Sequence, residues 1–329
     1  ALARTGYGPR STAFAEASLA AGLAALRTNG FAAAERAFDA ACGALPADEA
    51  ARDGVRGELR ARVLGARATL ALARGRFRVA DSLAAEVLVE ERTRTRGPSA
   101  ARAWAWRVLG TTRHDSSDTY YLRAIAVMDS LGAPLAVERL DAMLGHAGLL
   151  SSAGNYVAAD SVAREGIRLS TIGYGARSRE AAHFHAYRSE ALLMRGDTTA
   201  AAAESDSALS ILDALPDAVA PVRVDIMSSA LTVFAARGRW REVLDRAEQL
   251  RVFGLANGAP LAVASGDRWV VRAMLRLGDT AQATTRIREA LAASTGGGLP
   301  AATGRELRVQ LDTLRARGFD RARRDAAPE

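Results

Sequence analysis

Three arginines near the C-terminal end of the chain have the spacing of a single helical stripe. Arg268, Arg272 and Arg276 stand four residues apart, so a helix through them places all three guanidinium groups on one face, beside Trp269. Arginine makes forked contacts with carboxylates and phosphates, and a neighbouring indole ring can hold a guanidinium by stacking. The pattern predicts a surface that binds anionic groups. The alternative interpretation is an ordinary solvated helix face.

A second basic segment surrounds two tryptophans in the first third of the chain. Its members are Arg92, Arg94, Arg96, Arg102 and Arg107, with Trp104 and Trp106 between them. Arginines beside aromatic faces are the side chains with which proteins hold single-stranded nucleic acid. The segment therefore offers an alternative, nucleic-acid-binding site. The alternative interpretation is that the arginine run is a solvated link between helices and that Trp106 has a structural role in the repeat.

Metal and cofactor chemistry have little support in the sequence. His183 and His185 are two residues apart, which turns their rings about 200° away from each other on a helix. Zinc needs three or four convergent ligands, so we expect no metal site here. The single cysteine, Cys42, lies in an apolar helical stretch and is interpreted as a small core residue.

The chain contains no lysine, because all 44 basic residues are arginine. A P-loop, a pyridoxal phosphate enzyme and a protein kinase each need a lysine at the reacting group, so none of these chemistries can operate within this chain. No other catalytic motif is apparent, and we expect a protein that is not an enzyme and has no cofactor. The formal charge of +7 permits an acidic partner without requiring one.

A repeated phrase organises the elements that must position these residues. Each instance is a helical stretch, a turn that usually contains glycine, a turn residue and a small residue three positions later. The turn residues are Phe31, Phe77, Tyr156, Thr198, Trp240 and Thr280. The last four are separated by 42, 42 and 40 residues, and a further turn is expected between Arg113 and Ser117. The pattern predicts a repeat of helix pairs.

Particular residues make the repeat similar to the tetratricopeptide family. Trp106 to Gly110 reads W-x-x-L-G, the opening of that repeat. The first repeat of this chain resembles the remaining part of the tetratricopeptide motif. It has small residues at helix contacts, an aromatic residue at the turn, a large core residue and a closing proline. These are Gly22, Phe31, Ala34, Phe38 and Pro46. The period is longer than the usual length of about 34 residues, so the chain resembles a long-repeat variant.

The resemblance implies an all-α fold, a right-handed superhelical solenoid of about seven antiparallel helix pairs with a C-terminal capping helix. We expect a leader at 1–12, the array at 13–299, a capping helix at 300–317 and a basic tail at 318–329. We expect no transmembrane segment. Because the sequence starts without methionine, it is interpreted either as a processed form or as one part of a longer polypeptide or assembly.

In such solenoids the first helix of every pair lines the concave face, where partners bind. The first pair would contribute Leu19, Leu23 and Leu26, the fifth His183, Tyr187 and Glu190, and the seventh the three arginines with Trp269. The resemblance implies a scaffold for a protein or an acidic peptide, such as the sensory or assembly module of a bacterial regulator. A nucleic-acid-binding solenoid is the alternative.

Overall fold

The computed structural model describes most of the chain as α-helix. The described residues are 8, 10–28, 30–45, 54–94, 97–133, 136–215, 220–257, 259–293 and 303–314. The chain divides into two compact units, Ala1–Tyr187 and Arg188–Glu329. No strand occurs in these ranges, which confirms the all-α class.

Successive helices form pairs joined by short turns. The first unit holds α1 (Thr12–Arg27), α2 (Phe31–Ala44), α3 (Gly54–Ala73), α4 (Phe77–Arg94), α5 (Ala100–Thr112), α6 (Ser117–Ser130), α7 (Val137–Ser152) and α8 (Tyr156–Tyr174). Helix α9 (Arg179–Met194) crosses the division between the units. The second unit continues with α10 (Thr198–Asp213), α11 (Ala220–Ala236), α12 (Trp240–Ala256), α13 (Pro260–Leu277), α14 (Thr280–Ala293) and α15 (303–314). Short turns make neighbouring helices antiparallel, so every second helix runs in the same direction.

The second helix of six pairs begins at the turn residue that the repeat predicted. These helices are α2, α4, α8, α10, α12 and α14, and they begin at Phe31, Phe77, Tyr156, Thr198, Trp240 and Thr280. The turn glycine before α14 shows why glycine recurs there. Gly278 ends α13 in the left-handed conformation, with φ of 89°, which other residues adopt only with strain.

Glycines inside helices make room for aromatic rings of a neighbouring helix. A Cβ atom on Gly22 would lie 2.3 Å from the ring of Phe38, and one on Gly166 would lie 2.3 Å from the ring of Phe184. Both rings are fully buried. The predicted small and large contact residues of the first pair, Gly22 and Phe38, therefore touch each other across α1 and α2.

Small residues allow the second helix of a pair to pack closely against neighbouring helices. Ala34 is 0% exposed and Ala159 is 1% exposed, as the predicted register requires. Around them the first unit buries larger side chains, among them Leu59, Leu109 and Leu140. Close approach of the helices thus depends on alanine at these positions, because a longer side chain would force them apart.

The third pair departs from the pattern at its turn. A short 3-10 helix, His114–Ser116, stands where the other turns carry glycine, and α6 starts directly after it. Trp106 stacks on Tyr120 with ring centroids 5.4 Å apart, and Arg123 lies 5.0 Å from the Trp106 ring. Trp106 therefore joins α5 to α6, in agreement with its expected structural role.

The last described helix covers the apolar side of the seventh pair. On α15, Leu307, Leu311 and Leu314 pack against Val271 of α13 and Ile287 of α14. Leu307 is fully buried. The other predicted boundaries remain predictions: Pro46 and the tail at 318–329 lie outside the described residues, and the right-handed superhelical path is untested.

Candidate partner-binding surface

Helix α13 carries the arginine stripe beside its core contacts. It begins with Pro260, whose fixed φ suits the first helical position, and it ends at Gly278. Val270, Val271 and Ala273 are fully buried, whereas the side chains of Arg268 and Arg272 are about one third to one half exposed. The helix thus anchors itself through its apolar side and leaves the two guanidinium groups accessible.

Arg268 and Arg272 share one carboxylate from α15. Glu306 places one oxygen 3.9 Å from Nη1 of Arg268 and the other 3.5 Å from Nη2 of Arg272. Both distances exceed the length of a strong charged hydrogen bond, which is about 2.7–2.9 Å. The carboxylate therefore balances part of the charge of the arginine pair. The N–H donors of the two arginines remain available for shorter hydrogen bonds. This arginine pair and its position on α13 form the candidate site.

The ring of Trp269 packs against the guanidinium group of Arg272. The guanidinium carbon of Arg272 lies 4.7 Å from the centre of the Trp269 ring, so the expected stacking is present. The indole is only 4% exposed, and its Nε1 has no hydrogen-bond partner. Trp269 therefore orients Arg272 and is not itself a surface on which a partner could lie.

Arg276 does not share Glu306 with the other two arginines. Its guanidinium carbon lies 5.4 Å from the ring centre of Trp240, at the start of α12. The sequence predicted one group of three charges, whereas the structure shows a pair with a third arginine directed to another aromatic ring. The reason is that Trp240, 36 residues earlier, stands beside the last turn of α13 and attracts the cation.

Three buried polar atoms on α13 and α15 have no hydrogen-bond partner among the described residues. They are Nε of Arg268, Nε1 of Trp269 and Oε1 of Gln310, which lies one turn after Glu306 on α15. A buried polar atom without a partner costs about 1–3 kcal/mol. The polar part of the contact between α13 and α15 is thus incompletely satisfied, while its apolar part, around Leu307 and Val271, is fully packed.

His183 and Tyr187, the predicted contact residues of the fifth pair, belong to the first unit. Burial lowers the pKa of His183 to about 4, with a smaller contribution from Arg179, so this histidine is neutral at pH 7. Its Nε2 is buried without a partner. The Tyr187 ring packs against Gly148 of α7, where an added Cβ would lie 3.2 Å from the ring. Their part in partner binding stays a prediction.

Glu190 lies on the part of α9 that belongs to the second unit. Its side chain is half-buried, and burial raises its pKa above the usual value. No hydrogen bond or ion pair joins it to another residue in the described ranges. The sequence pointed to this residue but gave no reason to expect an unpaired carboxylate.

The alternative basic segment does not form an aromatic platform. Trp104 is 8% exposed and packs into the core of the first unit, against Gly65. Arg102 donates hydrogen bonds to the carbonyl oxygens of Gly97 and Glu91. The nucleic-acid-binding alternative that this segment suggested is therefore not supported, because Trp104 is buried and Arg102 holds the chain between α4 and α5.

The remaining arginines of that segment contribute little to a common site. Arg92 is exposed on α4, whereas the side chain of Arg94 and the whole of Arg96 lie outside the described residues. Leu19, which was expected on the partner-binding face of the first pair, is 1% exposed. It joins the core together with Leu23 and Leu26, because these side chains face α2 and α3.

The described ranges contain neither a cluster of metal-ligating side chains nor a membrane-spanning helix. No group of three or more histidine, cysteine, aspartate or glutamate side chains there is arranged to hold a metal ion. None of the helices there combines the length and the apolar character needed to cross a bilayer.

Sequence reasoning missed Glu306, the acidic partner of the arginine pair. The sequence feature that could have revealed it is the stripe of Leu307, Leu311 and Leu314. This stripe requires α15 to pack on the preceding helix pair, and that packing brings Glu306, the residue before Leu307, close to α13. It also missed Asp225 on α11. Burial raises the pKa of Asp225 to about 6, although its side chain remains exposed to solvent.

Comparison with known proteins identifies the fold. No protein-family model and no curated protein matches the chain. Among solved structures, a Rap protein in complex with Competence and Sporulation Factor is similar, with a TM-score of 0.54 and 9% identity over 93% of this chain and 99% of that one.

Two further solved structures are similar over most of the chain. BtubC from P. vanneervenii has a TM-score of 0.51 and 16% identity, over 74% of this chain and 92% of that one. A signal transduction ATPase with numerous domains and a tetratricopeptide repeat sensor, from Pyrococcus horikoshii, has a TM-score of 0.51 and 12% identity, over 86% of this chain and 42% of that one. The chain has a tetratricopeptide-like helical-repeat fold.

Proposed function

We propose that the chain is a protein-interaction module that binds an acidic segment of a partner through Arg268 and Arg272. The observation that carries the proposal is that these arginines already hold a carboxylate, that of Glu306, at 3.9 and 3.5 Å. Protein folds are used for many purposes, so the function is argued from this arrangement and not from the fold alone.

The arginine pair has the properties of a carboxylate receptor. Each guanidinium presents five N–H donors in a planar fork, and both side chains remain partly exposed. The stacking of Arg272 on Trp269 limits the freedom that the side chain would lose on binding. A carboxylate of a partner can therefore form the short, directed hydrogen bonds that Glu306 does not form.

The similar solved structures agree with a role in recognition. One was solved with a bound factor, and another carries its repeats as a sensor. By analogy, we propose that this chain is the sensory or assembly module of a larger regulator or complex and is not itself an enzyme. The nucleic-acid alternative is not supported, since its tryptophan is buried.

The test uses fluorescein-labelled octapeptides with two central glutamates, compared with the same peptides carrying glutamines. Fluorescence polarisation should show tighter binding of the glutamate peptides to the unaltered chain. Arg272→Glu should weaken that binding by about tenfold or more, because hydrogen bonds to charged groups contribute about 1.5–3 kcal/mol.

Arg241→Glu is the matched control, because Arg241 is exposed at the start of α12 and takes no part in the ion pairs with Glu306. The control changes the net charge equally and should leave the affinity close to that of the unaltered chain. Equal losses in Arg272→Glu and Arg241→Glu, or no preference for glutamate over glutamine, would overturn the proposal.

A further inference from the structure

Helices α11 and α13 present a common face whose alignment is set by two serines. The Oγ atoms of Ser228 on α11 and Ser265 on α13 lie 3.0 Å apart. Asp225 precedes Ser228 by three residues, and Arg268 and Arg272 follow Ser265 by three and seven. Residues three, four and seven apart share one side of a helix. Asp225 and the arginine pair therefore lie on the same face, on opposite sides of the serine contact.

The length of this face follows from helix geometry. Because α12 turns back between them, α11 and α13 run parallel, so Asp225 is displaced toward the N-terminal ends and Arg272 toward the C-terminal ends. A rise of about 1.5 Å per residue puts them about 15 Å apart along the axes. With helix axes about 8–10 Å apart, the two backbone positions are separated by about 17 Å.

Asp225 is one of the acidic residues of the second unit that have no arginine within 4.0 Å in the described ranges. The acids of that unit with an arginine within 4.0 Å are Glu204, Asp213, Glu242, Glu248, Asp267, Glu289 and Glu306. No hydrogen bond or ion pair joins Asp225 to a residue in the described ranges. The carboxylate is exposed, and the surrounding protein raises its pKa to about 6.

The arginine nearest to Asp225 along α11 is engaged elsewhere. Arg223 places its guanidinium carbon 4.7 Å from the ring centre of Phe253 on α12, and its Nη2 donates to the carbonyl oxygen of Leu215 at 3.4 Å. No arginine in the described ranges forms an ion pair with this carboxylate. A partly desolvated carboxylate without a counterion gains more from a cationic partner than a fully solvated one does.

We infer that the shared face of α11 and α13 recognises an extended segment that carries both an acidic and a cationic side chain, about five residues apart. The inference rests on the proposed function and extends it. The acid binds Arg268 and Arg272, the cation binds Asp225, and the uncharged contact of Ser228 and Ser265 lies between them. An extended chain covers about 3.3–3.6 Å per residue, so about 17 Å corresponds to five residues.

The experiment uses fluorescein-labelled peptides of glycine, serine and alanine with one glutamate and one arginine. The separation of the two charges varies from two to seven residues, in both orders along the peptide, and a reference peptide has glutamine in place of the arginine. Polarisation should show the tightest binding near a separation of five, by about fivefold over the reference, the effect of one partly desolvated ion pair.

Asp225→Asn should remove the preference for the arginine peptide and leave binding of the glutamate-only reference unchanged. Asp245→Asn, at an exposed site on α12, changes the net charge equally and should keep the preference. A preference that survives in Asp225→Asn, or an unaltered chain that ignores the separation, overturns this inference while the proposed function stands. Failure of the reference peptide to bind at all overturns both.

Discussion

Removing the carboxylate of Glu306 should have opposite effects on binding and on stability. In Glu306→Gln the arginine pair loses its internal anion, so an acidic peptide no longer competes with it. Coulomb's law gives about 1 kcal/mol for each pair at these distances in water, and measured exposed pairs contribute about 0.2–1 kcal/mol. The affinity for the glutamate octapeptides should rise by about two- to tenfold.

The same substitution should lower the free energy of unfolding by about 1 kcal/mol or less. Leu307 and Leu311 remain buried, so α15 should stay packed on α13. Urea unfolding and fluorescence polarisation measure the two quantities on one preparation. Asp245→Asn is again the control for net charge, since Asp245 lies on α12 away from the arginine pair.

Salt provides a second check on the same variant. The advantage of Glu306→Gln should shrink at about 1 M salt, where the Debye length is about 3 Å. A variant that binds acidic peptides no better than the unaltered chain at low salt would refute the reasoning. So would a large loss of stability, because it would mean that Glu306 is mainly a structural residue.

The remaining predictions concern packing and titration. Ala159→Leu should lower the free energy of unfolding by about 1–3 kcal/mol in urea, because it overpacks a fully buried helix contact, whereas Ala203→Leu at an exposed site should change it little; equal stability of the two variants would contradict the register. Burial raises the pKa of Asp267 to about 6, so stability should fall as pH rises from about 4 through 6, by up to about 3 kcal/mol. Asp267→Asn should therefore be more stable than the unaltered chain at about pH 7 but not at about pH 4, and a difference that does not depend on pH would contradict this assignment.

The repeat was predictable from the sequence because its signals are local. A turn glycine, a turn residue and a small residue three positions later lie within six residues of one another, so their spacing survives in the fold. Phe31, Tyr156 and Trp240 begin their helices for this reason. The aromatic partners of the helix glycines, such as Phe38 for Gly22, also follow from the repeat.

The candidate site was only partly predictable because its partners are distant in sequence. Glu306 meets Arg272 only after α14 and a further link have brought α15 back onto α13. Trp104 was misinterpreted because nothing local distinguishes a tryptophan that fills the space over Gly65 from one on the surface. The contact of Arg276 with Trp240 was missed for the same reason, since it joins two helices.

Cross-linking tests the central proposal most directly. A glutamate octapeptide with a benzophenone side chain next to its acids should, after irradiation, label residues of α11, α13 and α15 near Arg268 and Arg272. Mass spectrometry locates the adducts, and an excess of unlabelled glutamate peptide should suppress them while the glutamine peptide should not. Adducts confined to α12, α14 or the first unit would contradict the proposal that this arginine pair binds the acidic segment of a partner.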